Sequence, residues 1–159
     1  MRSLAGILVF LAFGAAANAA EPVVAASPAA QRAMLESDDP QLEANKRLVW
    51  NMWREFLQAG DIEAADKYLA PEYHQHNPNA ETGLEGVKAY FRAAGMEKTE
   101  VMDHIERLVA ITAERDLVTL ALVREGMDSN GEPYTTTWFD MFRVEDGMII
   151  EHWDTATKE

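Results

Sequence analysis

The hydrophobic positions of this chain change their spacing along the sequence. In residues 41–60 apolar residues recur at helical spacing between charged ones, which predicts a long helix that ends at Gly60. A short helix over residues 62–69, a brief extended piece over residues 73–76 and a third helix that begins at residues 83–86 follow it. The spacing then becomes two, which predicts strands over residues 103–112, 117–125, 134–144 and 148–154.

The order of these elements predicts the fold class. Helices that come first, followed by strands joined through short turns, indicate an α+β fold with a mainly antiparallel sheet. Residues 145–147 (EDG) are typical of the tight turn of a hairpin, so the last two strands are expected to be neighbours. A curved sheet that helices close on one face leaves room for an internal pocket.

The N-terminal residues lie outside this pattern. Residues 1–19 combine Arg2, an apolar run and the small-residue sequence ANA, which predicts a cleaved signal peptide. The run is too short for a stable membrane span, and an N-terminal anchor helix is the alternative. Residues 20–40 are rich in Ala and Pro and are predicted to be a tether, with a short helix at its end. The folded domain is therefore expected at residues 41–157 of an exported protein, either periplasmic or secreted.

Composition and charge narrow the classes of partner. The 159 residues suit one domain, and their net charge of −13 argues against binding to nucleic acid or to anionic membrane surfaces. We therefore expect no nucleic-acid partner and no membrane association after signal cleavage. The absence of cysteine excludes disulfides, thiolate zinc sites and a cysteine nucleophile.

Polar residues in the last two strands form the first candidate for chemistry. Trp138, Asp140 and Phe142 share one strand face, and Asp140 is out of place there if this face is the inner one. His152 and Asp154 share a face of the following strand. Inward-facing, these residues would give one cavity two carboxylates and an imidazole, which suits general acid–base chemistry. The alternative is a solvated strand face without a function.

Histidines and aromatic residues raise two further hypotheses. His74, His76, His152 and Asp154 have the spacing of a His/carboxylate metal site, provided that two distant segments converge. We keep this as an alternative and predict neither a metal nor another cofactor. Four aromatic residues are predicted to line an apolar pocket for a small hydrophobic molecule, although ordinary core packing explains them too; they are Trp53, Phe56, Phe91 and Trp138.

Several segments taken together resemble a known family. Residues 73–78 (YHQHNP), 86–91 (GVKAYF), 139–147 (FDMFRVEDG) and 149–154 (IIEHWD) are similar to the SnoaL-like proteins of the NTF2-like superfamily, which are related to polyketide cyclases. The resemblance extends over residues 42–155. It implies a conical α+β fold, in which N-terminal helices pack on a curved, mainly antiparallel sheet around a pocket. It also implies a homodimer that forms through the open face of the sheet.

The resemblance implies roles for individual residues. The family's cyclases close a ring by aldol condensation without a cofactor, and their aspartate on the last strand corresponds to Asp154, which would be the general base. Asp140 stands where relatives have a second polar pocket residue, and His76 would orient the substrate or donate to an oxyanion. His152 would adjust the pKa of Asp154. Two departures weaken the cyclase hypothesis, namely Ala121 where relatives often have histidine, and the predicted export signal.

Two functions remain open at the level of the sequence. The first is cofactor-independent acid–base catalysis, of the aldol, isomerase or hydration type, on a small apolar carbonyl compound. The second is a non-catalytic protein of the cell envelope that binds a small ligand in the same pocket.

Overall fold

The computed structural model describes residues 21–158, so the predicted signal peptide lies outside the described residues. Helix α1 spans Pro28–Leu35 and α2 spans Pro40–Met52. The chain continues from α2 as a π-helical segment, Trp53–Gln58, and then forms a 3₁₀ helix, Ile62–Lys67. Helix α3 spans Leu84–Ala93. The predicted long helix, short helix and third helix are thus present, and the long one changes its winding near its end.

The strands form one mixed sheet. They are β1 (Leu69–Gln75), β2 (Leu108–Glu114), β3 (Leu117–Met127), β4 (Pro133–Glu145) and β5 (Met148–Asp154). Their order in the sheet is β1-β5-β4-β3-β2. Strands β2 to β5 pair with their neighbours in antiparallel fashion, whereas β1 runs parallel to β5. The predicted α+β fold is confirmed, and the extended piece of the prediction is an edge strand of the same sheet.

The hairpin between β4 and β5 has the predicted turn. Asp146 and Gly147 both have positive φ, 49° and 76°, as a two-residue turn of the type that matches strand twist requires. Apolar residues of α2, of the π-helical segment and of the inner sheet face form the core, with Val49, Phe56 and Leu120 almost fully buried. None of the helices within residues 21–158 has the length and apolar character that crossing a membrane requires.

The segment that was predicted as a tether packs partly into the domain. Ser27 caps α1 through a hydrogen bond from the backbone N–H of Ala30, and Pro28 opens the helix. Gln31 and Leu35, one turn apart on this helix, are both buried. The ordered domain therefore begins before residue 41, because a polar residue of this stretch is needed inside it.

Gln31 also explains why β2 begins later than the sequence pattern predicts. Its amide donates to the carbonyl oxygen of Ile105 at 2.7 Å and accepts from the N–H of Ile105 at 2.9 Å. Both backbone groups of Ile105 are thus paired with a side chain rather than with a neighbouring strand. Ladder pairing with β3 therefore starts only at Leu108, although Ile105 keeps the alternation of a strand.

We expect Gln31→Ala to lower the free energy of unfolding by about 2 kcal/mol, since it leaves the buried N–H of Ile105 without its partner and such a group costs roughly 1–3 kcal/mol. The same amide also donates to the carbonyl of Ala26 at 3.0 Å, which the variant would leave unpaired as well. Urea unfolding followed by circular dichroism measures the change. Asp38→Ala, at an exposed position just after α1, is the control with an expected change within about 0.5 kcal/mol. Equal stabilities of the two variants would contradict the role of Gln31.

Candidate active site

A cavity of about 250 Å³ lies between the helices and the inner face of the sheet. Its walls are mostly apolar and come from the α2 end, the π-helical segment, α3 and β4. Its polar residues come from β1, the loop that follows β1, and strands β4 and β5; they are Tyr73, Gln75, Asn77, Asp140, His152 and Asp154. The cavity thus joins an apolar chamber to a set of hydrogen-bonding side chains.

The π-helical winding directs aromatic side chains toward this cavity. The N–H of Ala59 bonds to the carbonyl of Arg54 at 3.0 Å, five residues earlier, so the helix is locally wider than an α-helix. Trp53 and Phe56 from this segment line the cavity, and so do Phe91 of α3 and Trp138 of β4. Phe56 and Phe91 meet edge to face, with ring centroids 5.1 Å apart. The structure therefore places all four predicted pocket aromatics along the cavity.

The β4–β5 hairpin brings the predicted acid–base residues together. Its register pairs Asp140 with Asp154 and Phe142 with His152, so these side chains lie on the same face of the sheet. Asp140 is 4% exposed and His152 is 7% exposed, while Asp154 is half-buried. The His152 ring stacks on Phe142 with centroids 4.5 Å apart. Parity within each strand predicted which of these residues share a face, and the register shift between Arg143 and Val144 brings the two faces together.

A chain of hydrogen bonds fixes the tautomer of His152. The side-chain oxygen of Gln75 accepts the backbone N–H of Asn77 at 3.0 Å, which orients the amide. The His152 Nδ1 lies 2.9 Å from the same oxygen and must therefore donate to it. Its Nε2 lies 2.8 Å from Asp140 Oδ1, so one proton is shared between these two atoms. Whichever atom holds that proton, the pair has no net charge.

Asp154 accepts hydrogen bonds on both oxygens. The side-chain amide of Asn77 donates to Oδ2 at 2.6 Å, and the backbone N–H of Ala156 donates to Oδ1 at 2.9 Å. Two donors on one carboxyl are the pattern of an ionised, acceptor-only carboxylate. The hydrogen bond from Asn77 also connects the loop after β1 to the end of β5. Asp154 is thus a positioned carboxylate at the polar end of the cavity.

Asp140 retains an oxygen with unused hydrogen-bonding capacity. Its Oδ2 is shielded from solvent and has no hydrogen-bond partner within residues 21–158. Buried polar atoms normally have a partner, and the exceptions concentrate at functional sites. Asp140 lines the cavity, so this oxygen, which lacks a partner among the described residues, belongs to a residue of the site.

His76, which the sequence suggested as a catalytic residue, does not line the cavity. Gln75 and His152 are paired across the parallel β1–β5 ladder, so Gln75 shares the inner face and its neighbours in sequence face outward. The Nε2 of His76 lies 2.8 Å from Glu151 Oε1, and the ring stacks on Trp153 at 5.1 Å. The expectation that His76 contacts substrate is therefore corrected by the geometry.

The four-residue metal site that the sequence left as an alternative is not assembled, because His74 and His76 face away from His152 and Asp154. The described residues instead bring Asp140, His152 and Asp154 together, with one potential ligand atom from each lying within 4.8 Å of the others. The contact of 2.8 Å between His152 Nε2 and Asp140 Oδ1 is satisfied by a shared proton. A cation would have to displace that proton in order to bind there.

Tyr73, Gln75 and Asn77 line the cavity but were not singled out from the sequence. Tyr73 is 3% exposed, and burial, together with the nearby carboxyl groups of Asp140 and Asp154, raises the pKa of its hydroxyl well above the ordinary value. The alternation of strand β1 separates Tyr73 and Gln75 from His74 and His76, but it does not tell which of the two sets faces inward. The histidines drew attention because their chemistry is conspicuous, while an amide and a phenol resemble ordinary strand residues.

Comparisons with solved structures agree with the fold. A candidate SnoaL-like polyketide cyclase from Jannaschia sp. CCS1 is 18% identical, with 76% of this chain and 91% of that chain covered and a TM-score of 0.54. An LEH-like epoxide hydrolase from M. tuberculosis is 19% identical, with coverages of 72% and 84% and a TM-score of 0.52. An NTF2-like protein of unknown function from Burkholderia pseudomallei is 18% identical, with coverages of 72% and 91% and a TM-score of 0.51.

At these identities the similarity establishes the NTF2-like fold and leaves the reaction open. No curated protein sequence matches the chain significantly. The family model of the SnoaL-like domain matches residues 50–152, which include the cavity aromatics, Asp140 and His152. Since this match extends over more than half of the chain, the protein belongs to the SnoaL-like domain family.

Proposed function

We propose that this protein is an exported SnoaL-like enzyme that transfers protons at carbon next to the carbonyl group of a small apolar compound, without a cofactor. One observation carries this proposal. A positioned carboxylate, Asp154, and a proton-sharing pair, Asp140 and His152, lie together at the polar end of an apolar cavity. Such a constellation suits general acid–base catalysis, whereas a purely structural cavity has no need of it.

Asp154 is the base of this reaction. Its carboxylate takes a proton from the carbon next to the carbonyl group, the C–H bond breaks, and the electron pair moves to the carbonyl oxygen to form an enolate. The same carboxyl then returns a proton to the enolate, or the enolate attacks a second carbonyl group in an aldol step. The hydrogen bonds from Asn77 and Ala156 hold the carboxylate in place for this transfer.

The remaining groups limit the kind of substrate. The Asp140–His152 pair is neutral as a unit, so Asp154 is the negative charge at this end of the cavity, and a neutral compound is favoured over an anion. The volume of about 250 Å³ is below the roughly 300–1,000 Å³ that drug-sized ligands occupy, which favours a small compound over a polycyclic polyketide. The export signal predicted in residues 1–19 would place the reaction outside the cytoplasm.

Deuterium exchange tests the proposal with a panel of compounds that share the expected carbonyl chemistry. The purified protein in D₂O is incubated with small ketones and lactones, such as cyclohexanone and δ-valerolactone, and the protons next to the carbonyl group are followed by NMR. We expect exchange above the buffer rate for at least one compound, and its persistence after dialysis against EDTA. Loss of exchange on dialysis would instead assign the chemistry to a metal held by Asp140, His152 and Asp154.

The alternative function has a distinct outcome in the same experiment. Chemical-shift changes in the protein that report binding of a panel compound, with no exchange for any compound, would identify a non-catalytic binding protein of the cell envelope. In that case the polar cluster serves to orient the ligand, and the proposal of an enzyme fails.

A further inference from the structure

Tyr73 has a buried hydroxyl group at the cavity whose proton has no acceptor within residues 21–158. The residue lies in β1, is 3% exposed and lines the cavity. Its oxygen accepts a long hydrogen bond of 3.4 Å from the side-chain amide of Gln75. A buried donor without an acceptor costs free energy, so an acceptor from a bound compound would stabilise the site.

The orientation of Gln75 determines where the hydroxyl proton can point. The Gln75 oxygen is held by the N–H of Asn77 and by Nδ1 of His152, so its NH₂ group must face Tyr73. One lone pair of the hydroxyl oxygen is therefore occupied from the side of the sheet. The O–H bond is left to point elsewhere, and Tyr73 lines the cavity.

We propose that the Tyr73 hydroxyl donates a hydrogen bond to the carbonyl oxygen of the bound compound and stabilises the negative charge that develops on this oxygen when Asp154 removes the proton. This inference rests on the proposed function and adds the group that an enolate requires. Tyr73 is then a catalytic residue, and the substrate is a neutral compound whose carbonyl oxygen lies at β1 while its acidic C–H bond faces β5.

The electrostatic setting supports a donor at this position. Burial and the neighbouring carboxylates raise the pKa of the Tyr73 hydroxyl, so it stays protonated across the neutral range and always has a proton to donate. The nearby carboxylate of Asp154 already has a donor on each oxygen. The competing acceptor is Asp140 Oδ2, which lacks a partner among the described residues, and the experiment must separate this acceptor from a ligand carbonyl.

The test uses cyclohexanone labelled with ¹³C at the carbonyl carbon, together with the variant Tyr73→Phe. In the wild-type protein we expect the carbonyl resonance of the bound ketone to lie downfield of its position in the variant, because a hydrogen bond polarises the C=O group. Exchange next to the carbonyl group should fall by about 10²–10³-fold, the usual effect of removing one oxyanion donor. Tyr68→Phe, a buried tyrosine that does not line the cavity, is the matched control and should keep both signals.

The outcomes separate this inference from the proposed function. A carbonyl shift that depends on Tyr73 in a protein without exchange activity would support the contact with Tyr73 and refute catalysis. Exchange and carbonyl shift that are unchanged in Tyr73→Phe would refute the inference and favour Asp140 as the acceptor of the hydroxyl. A wild-type protein that binds none of the panel ketones, or binds them without a downfield shift, would also overturn it.

Discussion

Replacement of Asp154 by asparagine is expected to slow the exchange of protons next to the carbonyl group by about 10²–10⁴-fold, the range that a positioned general base contributes. The amide of asparagine has nearly the shape of the carboxylate but cannot take up the proton. The rate is measured by ¹H NMR in D₂O on whichever panel ketone the wild-type protein exchanges fastest. The affinity for the ketone, measured by titration in the same samples, should change far less than the rate.

The substitution is informative because it removes the charge of Asp154 and keeps nearly the same side-chain shape. The oxygen of asparagine can still accept one of the two hydrogen bonds, from Asn77 or from Ala156. Asp146→Asn is the matched control, since it removes the same charge from an exposed turn. Asp146 has a φ of 49°, a conformation that asparagine adopts readily, so this control should neither unfold nor lose exchange.

Two results would contradict the assignment of Asp154. Full exchange in Asp154→Asn with loss of exchange in Asp140→Asn would make Asp140 the base and give Asp154 a positioning role. A comparable loss of exchange in Asp154→Asn and in Asp146→Asn would indicate that the exchange rate depends on the overall charge of the protein, rather than on a positioned base. Either result can be recognised only if circular dichroism shows that the variants remain folded.

The sequence predicted which side chains share a face within β4 and within β5. The turn at residues 145–147 pairs Glu145 with Met148, but the register shifts between Arg143 and Val144. This irregularity, rather than the turn, places Asp140 opposite Asp154. Asp140 was recognised because a carboxylate between Trp138 and Phe142 violates the apolar pattern of an inner face. Parity within β4 is therefore enough to recognise a buried acid, whereas the register shift that places it opposite Asp154 cannot be read from the sequence.

The same reasoning was incomplete for β1, for a physical reason. This strand lies at the edge of the sheet and pairs only with β5, which runs parallel to it and is distant in sequence. Its register is irregular between Leu69 and His74. No local turn fixes which of its residues face inward. Both histidines were considered because of their chemistry, yet the residue that shares a face with His152 is Gln75. Long-range pairing, rather than local pattern, decides this part of the site.

The buried position of Gln31 shows a similar limit at the N-terminus. An Ala- and Pro-rich stretch has little apolar periodicity, so it predicts a tether. Its packing depends on one amide that satisfies both backbone groups of Ile105, a contact between residues far apart in sequence. The polar partner that makes Gln31 fit the interior cannot be read from the neighbouring residues.

The largest effect on stability is expected at the Asp140–His152 pair. His152→Leu should lower the free energy of unfolding by about 3–5 kcal/mol, because removing one partner leaves a buried carboxyl group without its hydrogen bond. The second oxygen of Asp140 already lacks a partner among the described residues, so the variant would leave both oxygens unpaired. Urea unfolding at neutral pH, monitored by tryptophan fluorescence, measures the change.

The double variant Asp140→Leu, His152→Leu is expected to be more stable than His152→Leu alone and close to the wild type. Replacing both members of a buried pair by apolar residues is often neutral or stabilising, and the adjacent cavity offers space for the added methyl groups. A double-mutant cycle with both single variants isolates the coupling between the two residues. Strictly additive effects would show that the two side chains are not coupled, and the shared proton inferred for Asp140 and His152 would then have to be abandoned. Strong coupling, together with complete loss of exchange in the double variant, would mean that the pair is kept for its chemistry at a site where apolar residues would stabilise the fold equally well.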